Sequence, residues 1–233
     1  MTNEKIKCAV FDLDGTLLNT IKTINHYLNF ALSTYSLPSV SEEDCMSFVG
    51  DGAVKLIERA LDKVGADRSL FDSVFKTYNE AYNSDPYYLT EPYDGVKDLL
   101  SSLKKQGISL AVLSNKPDFA VKSAVNHFLP EFFDIVLGSR ENIPLKPNPN
   151  ALFEIMTLLS VTPDQTVYIG DSEPDVLTHQ SCYLLLQLHS LGQAHQFPLP
   201  FPTRWLHPRR QDLEISEKHF AFRNHSYSLC QRC

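Results

Sequence analysis

The chain has 233 residues, of which 43% are hydrophobic, 21% charged and 11% aromatic. This composition excludes a disordered chain, and the length fits one large domain or one domain that carries a smaller insert. The formal net charge of -7 argues against a general nucleic-acid binder, because such a protein usually presents a basic face.

The first residues, Met-Thr-Asn-Glu-Lys-Ile-Lys, lack the apolar region of a signal peptide. No apolar run approaches the ~20 residues of a membrane span, so we expect no membrane partner. Five cysteines without a regular framework favour a reducing compartment. The sequence therefore predicts a cytoplasmic protein.

The first predicted element is a buried strand that ends in two acidic residues. Residues 7–14 read Lys-Cys-Ala-Val-Phe-Asp-Leu-Asp, a short run of strand-forming residues that is apolar on both faces. Such a run is typical of a central strand in a parallel sheet. Asp12 and Asp14 then lie at the carboxyl end of this strand.

About ninety residues separate this strand from the next one, far more than an ordinary connection needs. Apolar residues recur at helical spacing in three segments, residues 20–36, 52–64 and 69–83. We interpret residues 19–90 as a helical insert and residues 91–95 as its second hinge. Residues 1–18 and 91–180 then form the core domain.

Strands and helices alternate in the next part of the chain. Three more strands are predicted, over residues 108–114, 134–139 and 166–172. Helices are predicted over Val96–Gln106, before Gly107, over Pro117–Phe128, with Pro117 as its first residue, and over Asn150–Ser160. Alternation of this kind predicts an α/β fold whose parallel sheet is covered by helices on both faces.

The last residues differ in composition from the rest of this acidic chain. Residues 180–233 hold six Lys or Arg, three Asp or Glu and five of the eight His. Residues 183–188 can form one more strand, whereas the alternating prolines of residues 197–202 do not suit a central strand. We interpret residues 181–233 as an atypical tail, either poorly ordered or produced by a shift of the reading frame near residues 178–182.

Polar side chains follow several of the predicted strands. Ligands of open parallel sheets gather beyond the carboxyl ends of the strands, and there the sequence places four polar residues: Asp12, Asp14, Ser114 and Asp171. Taken alone, each has a plainer interpretation as part of a turn or as a helix cap, and Lys146 as a solvated surface lysine. Their linked order along the chain favours a shared site.

These residues form four motifs that resemble those of the haloacid dehalogenase-like phosphohydrolases. The motifs occur in the order of that family, and the resemblance covers about residues 5–178. They are Asp12-x-Asp14-Gly15-Thr16, Ser114, Lys146 in Leu-Lys-Pro-Asn-Pro, and Gly170-Asp171-Ser172-x-x-Asp175. The resemblance implies a Rossmann-like parallel sheet core with a helical C1-type cap insert.

The resemblance further implies a reaction that depends on Mg²⁺. Asp12 is expected to be the nucleophile and a metal ligand, and Asp14 the general acid and base. Asp171 and the backbone carbonyl of Asp14 complete the expected metal site. Mg²⁺ prefers such oxygen ligands, and its charge offsets the repulsion between an attacking carboxylate and a phosphate dianion.

Three residues are expected to bind the substrate: Ser114, Asn115 and Lys146. Lys146 offers a compact positive charge and Ser114 a hydrogen-bond donor, and phosphoryl transfer depends mainly on positioning and electrostatics. Asp175 is expected to support Lys146 or a nearby loop. Asn115 and Lys116 can line the entrance, although Pro117 indicates that they mainly lead into a helix.

The predicted insert resembles the C1 cap of this superfamily. Its segment Phe48-Val49-Gly50-Asp51-Gly52 is similar to the cap of bacterial phosphoglycolate phosphatases, where glycines permit close approach to a small anion. The alternative is an ordinary turn between helices. Lys55 and Arg59 are expected to face solvent. The expected partner is therefore a small phosphorylated metabolite such as phosphoglycolate.

Several other functions are compatible with the same residues. Related phosphatases act on pyrophosphate, nucleotides or sugar phosphates, and a relative that binds without catalysis is a further alternative. A β-phosphoglucomutase is disfavoured because its first motif usually has Val in place of Thr16. A signalling receiver domain groups similar residues within ~120 positions and lacks the long insert. The sequence leaves the oligomeric state open.

Overall fold

The described residues of this computed structural model, 6–182 and 185–188, contain a five-stranded parallel sheet and a pair of short antiparallel strands. The strands are β1 (Cys8–Phe11), β2 (Leu18–Asn19), β3 (Glu91–Pro92), β4 (Ser109–Pro117), β5 (Ile135–Ser139), β6 (Thr166–Gly170) and β7 (Leu185–Leu188). The order in the large sheet is β5-β4-β1-β6-β7, and β2 pairs with β3. The predicted parallel sheet is confirmed, with β1 at its centre.

Eight α-helices occur in the same described ranges. They are α1 (Ile21–Thr34), α2 (Glu42–Phe48), α3 (Ala53–Lys63), α4 (Phe71–Ser84), α5 (Val96–Lys105), α6 (Asp118–Phe128), α7 (Asn150–Leu159) and α8 (Glu173–Cys182). Short 3-10 helices lie at Arg68–Leu70 and Pro163–Gln165. No helix in these ranges is long and apolar enough to cross a membrane.

Both faces of the parallel sheet are buried. Cys8 and Val10 of β1 pack with Leu152 and Ile155 of α7 in one hydrophobic cluster. The residue between them, Ala9, points to the opposite face and is buried as well. Helices α5 and α6 both contact β4. Burial on two faces explains why these strands read as continuous apolar runs.

The ends of the helices follow local backbone chemistry. Gly107, just after α5, has φ +75, and Ser160, just after α7, has φ 54, so both helices end in a left-handed residue. Pro117 precedes α6 with an extended backbone (φ -51, ψ 136) and is the last residue of β4. The prediction that Pro117 is the first helical residue is therefore wrong by one position.

The helices between β2 and β3 have a hydrophobic core of their own. Its buried residues come from α1 to α4 and include Leu28, Leu32, Ile57 and Leu61. Helix α2 is not among the predicted segments, although this short helix has a recognisable start. Ser41 accepts a hydrogen bond from the backbone N–H of Asp44 at 3.1 Å, and the first turn is acidic.

The last described strand lies at the edge of the sheet beside β6. A strand is expected over residues 183–188, and β7 is present over Leu185–Leu188. The tail from residue 189 onward lies outside the described residues. The interpretation of residues 181–233 as an atypical tail stays a prediction.

Gly138 in β5 lies against the segment that joins β4 to α6, which offers a test of the packing there. A Cβ at this position would lie 2.5 Å from Asp118 Cα and 2.7 Å from the carbonyl oxygen of Lys116. We expect Gly138→Ala to lower the free energy of unfolding by about 1–3 kcal/mol, because backbone must shift to admit the methyl group. Urea denaturation measures the effect, with Ser139→Ala as the control, and an unchanged midpoint for Gly138→Ala would contradict the close approach.

Candidate active site

The predicted site residues meet at the carboxyl ends of three neighbouring strands. Asp12 directly follows β1, Ser114 lies near the end of β4, and Asp171 directly follows β6. Lys146 belongs to the loop before α7, and Asp175 lies in the first turn of α8. Parallel pairing of β1 with β4 and β6 brings these distant parts of the sequence together.

Lys146 is a buried ammonium bound between two carboxylates. Its side chain is 2% exposed, and Nζ lies 2.9 Å from Asp12 Oδ1 and 2.7 Å from Asp175 Oδ1. Burial by itself lowers the pKa of Lys146, but the two carboxylates outweigh this effect and raise the pKa well above its ordinary value. The site therefore contains a permanent positive charge.

Asp175 is held by donors on both of its oxygens. Oδ1 accepts from Lys146 Nζ and from the hydroxyl of Tyr168 at 2.8 Å, and Oδ2 accepts from the backbone N–H and hydroxyl of Ser172 at 3.0 and 2.5 Å. Burial raises the pKa of Asp175, but Lys146 and these hydrogen bonds outweigh burial and lower it. Asp175 is thus a fixed anion that orients Lys146.

Asp12 has a different environment although it shares the same lysine. Its buried Oδ1 forms an ion pair with Lys146 Nζ and has no further hydrogen-bond partner among the described residues. Burial raises the pKa of Asp12 well above its usual range, Asp175 adds to this, and Lys146 opposes it. Oδ1 of Asp12 can therefore still bind another group.

The acidic side chains fit a divalent cation. One oxygen each of Asp12, Asp171 and Asp175 lies within 4.8 Å of the other two. Asp171 is exposed as a residue, but its carboxylate packs against Gly15 and accepts from Thr16 Oγ1 at 2.7 Å. This desolvation raises its pKa to about 6, with the hydrogen bond from Thr16 opposing the shift. Carboxylate oxygens grouped around an unsatisfied buried oxygen are suited to Mg²⁺.

Gly15 allows this approach. Its φ is +83, and a Cβ there would overlap the carboxylate of Asp171. The turn at Gly15 also separates the two aspartates of the first motif. The carboxylate of Asp14 is bound by Lys116, whose Nζ lies 2.9 Å from Oδ1 and 3.3 Å from Oδ2.

Lys116 joins the sheet to the helical insert. Its Nζ lies 5.0 Å from the ring centroid of Tyr82 in α4, and its side chain is 12% exposed. Burial lowers the pKa of Lys116, but Asp14 and then Tyr82 outweigh burial and raise it above the ordinary value. Lys116 is therefore a second, largely buried cation at the site, separate from Lys146.

Asn115 uses its side chain to connect two protein segments. Nδ2 donates to the carbonyl oxygens of Gly50 at 2.9 Å and of Lys146 at 3.1 Å, and Oδ1 accepts from the N–H of Lys146 at 2.8 Å. Both amide hydrogens and the amide oxygen are therefore engaged within the protein. Ser114 Oγ accepts from the N–H of Lys116 at 3.3 Å, so its hydroxyl hydrogen is not used by this contact.

The segment Phe48–Gly52 of the insert lies against the site. A Cβ at Gly50, where φ is +117, would lie 3.2 Å from Ser172 Cβ. Arg59 donates to the carbonyl oxygen of Phe48 at 2.9 Å and pairs with Asp51 at 2.5 Å, while Lys55 pairs with Glu58. Arg59 thus stabilises this turn through two contacts and does not only face solvent.

Four residues of the site carry no role in the sequence analysis: Thr16, Tyr82, Tyr168 and Ser172. Thr16 and Ser172 belong to motifs quoted there, so their positions beside Asp171 and Asp175 were available as a signal. Tyr168 reads only as one more apolar strand residue. Tyr82 lies in a helix far along the chain from Lys116, and no local pattern indicates their contact.

Comparison with known proteins places the chain among related hydrolases. Residues 9–183 match the family of haloacid dehalogenase-like hydrolases. A phosphoglycolate phosphatase of Mannheimia succiniciproducens is 34% identical over 206 residues, which cover 84% of this chain and 91% of the relative. A phosphoglycolate phosphatase of Haemophilus influenzae strain 86-028NP is 33% identical over the same length.

A solved structure is similar over most of the chain. The crystal structure of a predicted phosphoglycolate phosphatase from Haemophilus somnus 129PT superposes with a TM-score of 0.73 at 30% sequence identity. The match covers 80% of this chain and 85% of that one. The predicted α/β fold is confirmed by this similarity.

Asn115 provides a test of how the site is held together. We expect Asn115→Ala to lower the free energy of unfolding by about 1–3 kcal/mol, because the N–H of Lys146 loses a buried acceptor. Chemical denaturation measures the loss. The control is Asn83→Ala, since Asn83 is exposed. Equal stability of the two variants would show that the hydrogen bonds of Asn115 contribute nothing.

Proposed function

Because the chain belongs to the haloacid dehalogenase-like hydrolase family, we propose that it is a Mg²⁺-dependent phosphatase that hydrolyses a small phosphate monoester, with phosphoglycolate as the preferred substrate. The observation that carries this proposal is the oxygen Oδ1 of Asp12. It is buried, forms a 2.9 Å ion pair with Lys146 and has no further hydrogen-bond partner among the described residues. The names of the relatives support the choice of phosphoglycolate.

Asp12 is the nucleophile of the proposed reaction. Its carboxylate oxygen attacks phosphorus while the bond from phosphorus to the leaving oxygen breaks, which gives an aspartyl-phosphate and splits one difficult step into two. Lys146 and the hydroxyl of Ser114 contact the phosphoryl oxygens, where negative charge is concentrated. Asp175 keeps Lys146 in place through its 2.7 Å ion pair.

Asp14 is the general acid and base of the proposed reaction. It donates a proton to the oxygen of the departing alcohol and later accepts one from the water that hydrolyses the aspartyl-phosphate. The turn at Gly15 supports these separate roles, because it places the carboxylate of Asp14 beside Lys116 and that of Asp12 beside Lys146. The two aspartates therefore have separate partners.

Asp12 and Asp171 would hold the Mg²⁺ ion, with the backbone carbonyl of Asp14 as a further ligand. When bound, the ion supplies positive charge that offsets the repulsion between the carboxylate of Asp12 and the phosphate dianion. Asp175 approaches the same cluster, but its oxygens are filled by protein donors, so its role is to support Lys146. Thr16 orients Asp171 for the ion through its hydrogen bond.

Residues 19–90 act as a cap in this proposal, and residues 1–18 and 91–180 form the core. A cap that closes on the site excludes water and contacts the substrate. The contact of Gly50 with Asn115 and of Tyr82 with Lys116 supports such closure, since both join the insert to residues at the end of β4. The cytoplasm stays the expected compartment.

Phosphate release from a panel of esters tests the proposed activity. With the full chain and Mg²⁺, we expect the highest kcat/KM for phosphoglycolate among phosphoglycolate, pyrophosphate, a nucleoside monophosphate and glucose 6-phosphate. Removal of the metal with EDTA should abolish turnover, and added Mg²⁺ should restore it. Preference for another ester would assign a related phosphatase, and phosphate binding without turnover would favour the binding-only alternative.

Replacement of the nucleophile gives a separate prediction. Asp12→Asn should lower kcat by about 1000-fold or more, because an amide does not form the acyl phosphate. Thermal unfolding should show that the variant is folded, and Asp72→Asn on the surface of α4 is the control for the assay. Normal turnover by Asp12→Asn, with deamidation excluded by mass spectrometry, would end the assignment.

A further inference from the structure

Lys116 is a largely buried cation that the proposed chemistry at phosphorus does not use. Its side chain is 12% exposed and that of its partner Asp14 is 14% exposed. Lys146, by comparison, lies between two carboxylates, whereas the ion pairs of the described residues give Lys116 a single one. A buried ammonium with three hydrogen-bond donors can serve a further anionic acceptor beside Asp14.

In the proposed reaction the two lysines are paired with aspartates that act at different ends of the substrate. Lys146 is paired with Asp12, the residue proposed to attack phosphorus, so it marks the phosphoryl end. Lys116 is paired with Asp14, the residue proposed to protonate the departing alcohol, so it marks the leaving-group end. The leaving group is the part of a phosphate ester that distinguishes one substrate from another.

We propose that Lys116 is a specificity-determining residue that binds a carboxylate on the leaving group of the substrate. This inference rests on the proposed function and extends it to the recognition of the alcohol. A carboxylate two or three bonds from the ester oxygen would share the ammonium of Lys116 with Asp14. An uncharged leaving group offers Lys116 no negative charge. It therefore does not offset the cost of disturbing the ion pair between Lys116 and Asp14.

The surroundings of Lys116 restrict the size of the anion. Tyr82 lies under its ammonium, and the rings of Tyr78 and Tyr82 are 5.7 Å apart, both largely buried. Both rings come from α4 of the insert and lie near Asp14 of the core, and Tyr82 also contacts Lys116. Packed aromatic rings beside the ammonium favour a leaving group of two or three carbons over a sugar or a nucleoside.

A purely supporting role makes a different prediction. If Lys116 only holds Asp14, its loss should slow proton transfer to every alcohol in the same proportion. If Lys116 binds the carboxylate, its loss should affect only substrates that carry one. The ratio of kcat/KM for two substrates that differ in the carboxylate alone separates these possibilities, because any general loss of activity cancels.

Phosphoglycolate and ethyl phosphate form such a pair, since both have a two-carbon leaving group. We expect the full chain with Mg²⁺ to prefer phosphoglycolate, and Lys116→Met to reduce this preference by about 10- to 100-fold, the range for a hydrogen bond between charged groups. The change should appear mainly in KM for phosphoglycolate. Lys116→Arg should restore part of the preference because it keeps the charge.

Thermal unfolding checks that each variant is folded, and Lys116→Gln, which retains a neutral donor, replaces Lys116→Met if the latter unfolds. A preference that stays unchanged in a folded, uncharged variant would overturn the inference while the phosphatase assignment stands. A wild-type preference for ethyl phosphate would also overturn it. Absence of Mg²⁺-dependent release from both esters would instead refute the proposed function.

Discussion

The buried ammonium of Lys146 between Asp12 and Asp175 is the interaction on which the site depends. A charge removed from water is costly unless opposite charges and hydrogen bonds surround it, so this lysine requires both carboxylates at close range. Asp12 is fixed by β1, Asp175 by the start of α8, and Lys146 by the loop before α7. The ion pairs therefore tie together three segments that are far apart in sequence.

The two carboxylates that share this lysine are not equivalent, and the difference divides their roles. Every donor around Asp175 stabilises its charged form, including the hydroxyl of Tyr168 and both donors of Ser172. Asp12 has one buried oxygen whose sole polar contact among the described residues is Lys146, and it lies beside Asp171. A carboxylate whose oxygens are all occupied by protein donors is suited to hold Lys146 in place. A carboxylate with remaining acceptor capacity is suited to bind a cation or to react.

The helical insert contacts the site through Gly50 and Tyr82. Gly50 reaches Asn115 by a hydrogen bond and lies against Ser172, while Tyr82 lies under Lys116. Asn115 is also bonded to both backbone polar groups of Lys146. Asn115 therefore connects the insert to the segment that carries the central lysine.

The sequence alone determined that the polar residues meet, because short apolar strands joined by helices form parallel sheets and place Asp12, Ser114 and Asp171 at one edge. It also predicted the helices of the insert, because the helical spacing of their apolar residues can be read from the local sequence alone. The sequence did not show that Lys116 holds Asp14 or that Asn115 bridges Gly50 and Lys146. Only the tertiary structure decided these contacts, since they join residues 31 to 102 positions apart through side-chain packing that leaves no local periodic pattern.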